Sequence, residues 1–325
     1  MKIFFLLLFS SLMPLASFAA VKGDPHHVFA LEGDVVLLRR ANASHDDLVV
    51  DQLNPNTQIE RKSLMASNTL VDKMRYDLGL SAAAKLFATI YSTWELRFTG
   101  PFNWKGTDKV SSLNNGLRIP GPFAKQTYDY IFARKVSGKY ISNFWNTEFN
   151  YWRHITPRFY DFFSVSCIAG LRFFQVHEKL NLAYTREDST SYYKVRTKNW
   201  SFGPQVGLDI EYNPYRLFTW GLVLKVGGLF NRGTGTSRMT DFNNTVTILR
   251  IDASESNFAY FVQAYPFFEF RPLKFFSLFA NYQALYLGAI VTSYKQVRFH
   301  VSNNNLNHGG DIIYHGLTTG VQFNF

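Results

Sequence analysis

The stretch "NWSFGPQVGLDIEY", residues 199–212, decides the fold. Trp200, Phe202, Pro204, Val206, Leu208, Ile210 and Tyr212 occupy one set of alternate positions. Asn199, Ser201, Gly203, Gln205, Gly207, Asp209 and Glu211 occupy the other. Side chains of an extended chain point to opposite faces in turn. The stretch is therefore a strand with one apolar and one polar face, and it is longer than the usual five or six residues.

The pattern recurs. Phe29, Leu31, Val35 and Leu37 alternate with polar or small residues near 28–39, and Met74, Tyr76, Leu78 and Leu80 do so in 72–80. Ile90, Trp94, Leu96 and Phe98 follow, then Trp145, Phe149 and Tyr151, then Phe163 to Phe173. Similar segments fill 216–231, 257–271, 274–293 and 310–325. The expected count is about ten strands, with eight or twelve as the neighbouring even numbers.

The connections alternate in length. "SAAAKLF", "ITPR", "NPY" and "RPLK" read as short turns, three of them marked by Pro157, Pro214 and Pro272. Residues 41–68, 100–138, 185–196, 232–256 and 294–309 read as long polar loops. Short turns at one end and long loops at the other are the mark of a transmembrane barrel. A soluble sandwich or lipocalin-like barrel would show the same alternation with its faces reversed. Strand length, and aromatics at strand ends such as Tyr151, Trp152, Phe159, Tyr160, Tyr212, Tyr215 and Phe275, favour the membrane.

Composition agrees. Aromatics make up 17% of the chain, yet mean hydropathy is only −0.11. After the N-terminus no apolar run reaches the 18 residues of a membrane helix. The first residues, "MKIFFLLLFSSLMPLASFAA", carry Lys2, a short apolar core and small residues at the end. They read as a signal peptide over 1–19, cleaved after Ala19 or Ala20. The apolar core is shorter than the roughly 20 residues a spanning helix needs, which argues against an anchor. Residues 20–325 then form one barrel. Cys167 stands alone, so neither an internal disulfide nor a cysteine metal cluster is expected.

The chain closes with "IIYHGLTTGVQFNF", residues 312–325, a strand that runs to a terminal aromatic. Soluble chains usually fray into polar residues there. A barrel in lipid must close, because unpaired backbone groups cost several kcal/mol there. The spacing of Thr318, Gly320, Phe323 and Phe325 resembles the C-terminal signal read by the outer-membrane assembly machinery.

Three stretches carry a family resemblance: "NTEFNYW" at 146–152, "AGLRFFQVHEKL" at 169–180, and the closing "HGLTTGVQFNF". With 199–212 between them, their order is similar to the pore-forming outer-membrane β-barrel family described from Legionella, planctomycetes and Chlamydia-like bacteria. It covers residues 139–325 well, 28–40 loosely, and 41–138 only in pattern. The resemblance implies an outer-membrane barrel that acts as a porin, and it supplies no catalytic residues.

The polar faces are assigned Glu32, Asp34, Asp77, Glu95, Glu148, Asp209, Glu211 and Glu269, against Arg75, Arg97, Arg172 and Lys225. Two states of this lumen are open: salt bridges that fill it, or a small aqueous channel that an acid excess would make weakly cation-preferring. The function expected is such a small porin, with the second loop folded over or into the mouth and its bases near Glu95 and Glu148. A surface adhesin or structural protein with a filled lumen is the alternative.

The net charge is +10. It concentrates in the loops, at Lys105, Lys109, Arg118, Lys125, Arg134, Lys135 and Lys139, then Arg186, Lys194 and Arg196, then Lys295 and Arg298, against Asp108 and Asp129. A basic outer rim suits membrane lipids, lipopolysaccharide phosphates or acidic surface ligands. Charge dispersed over the loops of an exported chain argues against nucleic acid. A rim protease or lipase would have to use His45 with Asp46 and Asp47, or His177 with Glu178, and neither has a motif around it. No enzyme activity, cofactor or metal is expected.

Overall fold

The computed structural model describes residues 28–41, 44–51, 62–113, 116–120, 130–155, 162–187, 189–215, 217–242, 246–298 and 305–325. The signal peptide, Phe159, Tyr160, Lys125 and Asp129 lie outside the described residues.

Thirteen strands are described. They are β1 (Phe29–Ala41), β2 (Asp47–Asp51), β3 (Lys62–Ala66), β4 (Asp77–Thr89), β5 (Ser92–Ser111), β6 (Leu117–Arg118) and β7 (Lys135–His154). Next come β8 (Phe163–Arg186), β9 (Ser189–Tyr215), β10 (Phe218–Thr240), β11 (Thr247–Leu273), β12 (Phe276–Ile290) and β13 (Gly310–Asn324). Ten of them close a ring in the order β1-β13-β12-β11-β10-β9-β8-β7-β5-β4, with β4 back on β1. Every neighbouring pair is antiparallel, as hairpin connections require. The fold is the ten-stranded antiparallel barrel expected.

The ring closes through the first and last strands. Glu32 pairs with Gln322 and Arg40 with Tyr314. The backbone N–H of Phe325 donates to the carbonyl of Phe29 at 2.7 Å, and that of Val28 to the carbonyl of Phe325 at 2.7 Å. The terminal aromatic is thus part of the closure. Val28 and Phe325 lie beside the short turns, the end that is periplasmic in bacterial barrels.

The wall is uneven. β9 and β11 are 27 residues long, whereas β12 and β13 have 15 and β1 and β4 have 13. At about 3.3 Å per residue and a tilt of about 40°, the tall side rises roughly 65–70 Å, well above an apolar band of about 25 Å.

Several expected loops are therefore wall. Strand β5 continues to Ser111 and β7 begins at Lys135, so the loop expected at 100–138 spans only 112–134. The loop expected at 185–196 is a tight hairpin, with β8 ending at Arg186 and β9 starting at Ser189. Most of 232–256 is likewise strand in β10 and β11. One expected turn is also displaced. "SAAAKLF" runs inside β4, and the chain turns at Ile90–Tyr91 instead.

Above the low side the first loop folds inward. It forms β2, β3 and a short helix α1 (Ser67–Asp72), and β2 pairs with both β3 and β6. The carbonyl of Leu70 rests directly on Gly106 of β5, where any side chain would collide with backbone. Leu48, Val49, Met65, Leu70 and Val71 are buried beneath this cap together with Leu117, Ile119 and Tyr130.

Candidate functional site

The inward faces of the strands stack four layers, and β1 shows their order. From the periplasmic end its inward residues are Glu32, Asp34, Val36, Leu38 and Arg40. Charge gives way to hydrocarbon, and a single charge returns above it.

The lowest layer is a network of ion pairs. Lys85 and Arg97 each lie 2.6 Å from Glu32, and Arg97 lies 3.2 Å from both Asp34 and Glu95. Glu148 takes Lys225 at 2.7 Å and Arg172 at 3.1 Å. Glu269 pairs with Arg271 at 3.0 Å. A cavity of about 120 Å³ remains among these groups, lined also by Asp209, Gln263 and Tyr265. The side chain of Arg97 keeps 20% of its surface accessible. Charged groups at membrane depth persist because each finds a counter-charge in the protein.

Above the ions lies a septum of rings. Phe102 and Trp104 of β5 stack at 5.3 Å, Phe144 and Tyr314 at 4.4 Å, and Trp104 and Tyr314 at 5.1 Å. Phe174 meets Phe144 at 5.9 Å and Phe261 at 5.4 Å. All six are at most 1% exposed. The Arg172 guanidinium sits 4.4 Å from the Phe174 ring centre and 4.7 Å from that of Phe261, joining the two layers by cation–π contact.

Arg40 and Glu178 form the third layer, 2.6 Å apart and fully buried. Tyr140 donates to Glu178 at 2.7 Å, Ser142 at 3.2 Å and the backbone N–H of Ser293 at 3.0 Å. Glu178 therefore fastens the last loop inside the barrel.

That loop is the fourth layer. Val291, Thr292, Ser293, Tyr294 and Gln296 are buried in the mouth, ahead of and within a 3₁₀ turn at Lys295–Arg298. Asn199 holds it from both sides, donating to the Val291 carbonyl at 2.7 Å and accepting the Val291 N–H at 2.9 Å. Asn231 bridges Asn199 and Asn257. Gly233 makes room, since a Cβ there would strike the Val291 side chain. At the rim Lys295 pairs with Asp46 at 2.7 Å. Burial pushes the Tyr294 hydroxyl up to about 12.

Ten of the twelve expected lumen residues face inward: Glu32, Asp34, Glu95, Arg97, Glu148, Arg172, Asp209, Glu211, Lys225 and Glu269. Two corrections apply. Arg75 is exposed in the segment before β4, and Asp77, at the outer end of β4, accepts the Asn103 N–H rather than lining the cavity. The alternation was carried past the end of the strand to Arg75, and at Asp77 it reaches the strand's outermost position, above the cavity. Lys85 was missed because its segment was read as a turn. Arg40 was missed, and Glu178 was considered only as a rim partner of His177, because a lone charge on a strand face does not reveal its depth.

Among the described residues the loop bases do not meet Glu95 and Glu148 as expected. Lys105, Lys109, Lys135 and Lys139 are exposed outside the wall, and the partners of Glu148 come from β8 and β10. Described parts of three loops do fold over the mouth: Leu48, Val49 and Met65 of the first, Leu117, Ile119 and Tyr130 of the second, and Tyr294 and Val297 of the last are buried there. His177 and Glu178 lie on opposite faces of β8, so they cannot act together. His45 does approach Asp47, at 3.3 Å. Among the described residues no group of His, Cys, Asp and Glu is arranged to hold a metal ion.

Around this interior runs an apolar belt. Leu208, Val206 and Phe202 of β9, Leu224 and Val226 of β10 and Leu171 of β8 are exposed on the outside. Aromatics edge it below at Trp94, Tyr151, Phe163, Tyr212 and Trp220, and above at Trp145, Phe173 and Trp200. Such a belt with two girdles belongs in a bilayer. The chain is an outer-membrane β-barrel. Solved structures with this architecture include the outer-membrane protease OmpT from Escherichia coli, which is 10% identical with a TM-score of 0.52 over 94% of this chain and all of that one. The translocator domain of the autotransporter NalP from Neisseria meningitidis is 7% identical, with a TM-score of 0.40 over 98% of this chain and 95% of that one. OprG from Pseudomonas aeruginosa is 9% identical, with a TM-score of 0.31 over 93% and 99%. No family model and no curated protein matches the chain.

Proposed function

We propose that this barrel is closed and works from its extracellular wall and cap, as a surface-binding or structural membrane protein, rather than through its lumen. The septum carries this reading. Six rings at most 1% exposed lie across the interior, and a buried ion pair and the tucked last loop lie above them. An ion crossing that layer would lose its hydration with no polar group to replace it. Purified barrel in planar bilayers is expected to show no discrete openings. Steady single-channel steps from the unmodified protein would overturn the proposal.

A small cation-preferring channel is the second reading. The cavity of about 120 Å³ among the lumen acids favours it, as does the resemblance of residues 139–325 to a pore-forming family. On that reading the septum is a gate. Phe144→Ala with Phe174→Ala would then produce cation-selective conductance, read from the reversal potential in a salt gradient. The fold shared with OmpT, a protease, carries no activity across at 10% identity.

A further inference from the structure

The outside of the tall wall carries a charge pattern that the lumen does not explain. Above Phe173, Trp200 and Phe230 the outward faces turn from apolar to basic within two outward positions. On β8, His177 and Lys179 follow Phe173. On β9, Lys198, Arg196 and Lys194 lie above Trp200, and on β10 Arg232 lies above Phe230.

Register brings these together. His177 pairs with Lys198, and Lys179 with Arg196. Arg196 in turn faces Thr236, and Lys198 faces Thr234. Neighbouring strands are about 4.8 Å apart, so three cations and the Thr234 hydroxyl fit within reach of one or two phosphate groups, while the Thr236 hydroxyl is hydrogen-bonded to Asp252 of β11. Among the described residues no Asp or Glu points outward on β7, β8, β9 or β10 between the girdle and the hairpin tips, and Asp252 of β11, opposite Thr236, pairs with Arg250 at 2.7 Å. Like charges set side by side with no acid between them destabilise the free wall, which is the signature of a surface that waits for an anion. The effect is visible at His177, held below its ordinary value by burial and by Lys179, Lys198 and Arg196 around it. Lys198 also lies 4.4 Å over the Trp200 ring, so the patch begins at the girdle itself.

We propose that this face binds the phosphate groups of the outer-leaflet glycolipid, lipopolysaccharide, with Lys179, Arg196 and Lys198 at the centre of the site. Height selects the lipid over a soluble anion. The cations stand immediately above the ring that marks the membrane interface, where the head groups of the outer leaflet lie and where acyl chains can run down past Phe173 and Phe202. The assignment is independent of whether the lumen conducts.

The test uses the full-length, folded barrel freed of lipid, titrated with bisphosphorylated lipid A, with dephosphorylated lipid A and with heparin. Binding is expected for the first alone at low micelle concentration. Lys179→Gln with Arg196→Gln and Lys198→Gln should weaken it about 100-fold, roughly fivefold for each cation removed. Arg39→Gln on the low wall should leave it unchanged. A heat-dependent gel shift checks that each variant is folded. Should the triple variant not insert, Arg196→Gln alone carries the test with a loss of about fivefold. Equal binding of the two lipid A forms, or wild-type binding by the substituted barrel, would overturn the proposal. Heparin binding as tight as lipid A would overturn it too, in favour of a soluble acidic polymer.

Discussion

The lower and upper halves of one strand obey opposite rules. On β8, below the upper girdle, Leu171 and Phe173 face out while Ser166 and Arg172 face in. Above it, His177 and Lys179 face out while Phe174, Val176, Leu180 and Leu182 face in. The backbone, its pairing and its period of two do not change. Only the solvent outside does, from lipid to water. The lower half is a membrane barrel with a polar, partly hydrated interior. The upper half is a water-soluble barrel with a packed apolar core. On the proposed reading the lumen is closed, because a core that excludes water also blocks a channel.

The sharpest way to break this contrast is to strand a charge in the dry half. Glu178→Leu would leave Arg40 buried without its carboxylate, at a cost of about 3–5 kcal/mol. Asp209→Asn beside the lower cavity should cost less than about 1 kcal/mol. Folding titrations in urea with lipid vesicles compare the two, and equal losses would mean that water reaches both halves alike.

Next in size is the septum. Phe174→Ala removes a ring that touches Phe144, Phe261 and Arg172, and should cost about 3–4 kcal/mol by leaving a cavity. The same titration reads it, and a loss below about 1 kcal/mol would show that the rings are not packed as a core.

The outside tests the switch of solvent. Leu224→Arg places a cation in the apolar belt and should cost about 2–4 kcal/mol. Ser254→Arg, outward on the neighbouring strand β11 but above the girdle, should change stability by no more than about 0.5 kcal/mol. Similar costs at both positions would place the membrane boundary elsewhere.

The smallest effect is expected at the rim. Lys295→Gln removes the 2.7 Å pair with Asp46, where both side chains keep some solvent, and should cost about 0.5–1 kcal/mol. Its readout is faster proteolysis of the last loop, with the wall intact. An unchanged cleavage rate would show that Asn199 and Glu178 hold the loop unaided.

Where sequence reading failed, it failed for this same reason. Beyond Arg232 the outward residues become polar and the inward ones become Gly and Ser, as at Gly233, Gly235 and Ser237. Both faces then look like loop, although the strands continue. The Gly100–Pro101 step hides another break. Between Thr99 and Phe102 the register shifts, so inward positions change from odd at Arg97 to even at Trp104. A period count carried across that step assigns the wrong face.

The sequence by itself indicated a barrel of about ten strands, the facing of Glu32, Glu95, Arg97, Glu148, Arg172 and Lys225, and a final strand that reaches the C-terminal aromatic. Each rests on a local period of two, which backbone geometry imposes without help from the rest of the chain. Tertiary structure alone decided that Lys225 and Arg172 share Glu148, that Arg40 meets Glu178 across 138 residues, and that the last loop lies inside the mouth. Those outcomes depend on which side chains arrive at the same height from different strands. Height is set by tilt, register and strand length around the whole ring, and no local pattern encodes it.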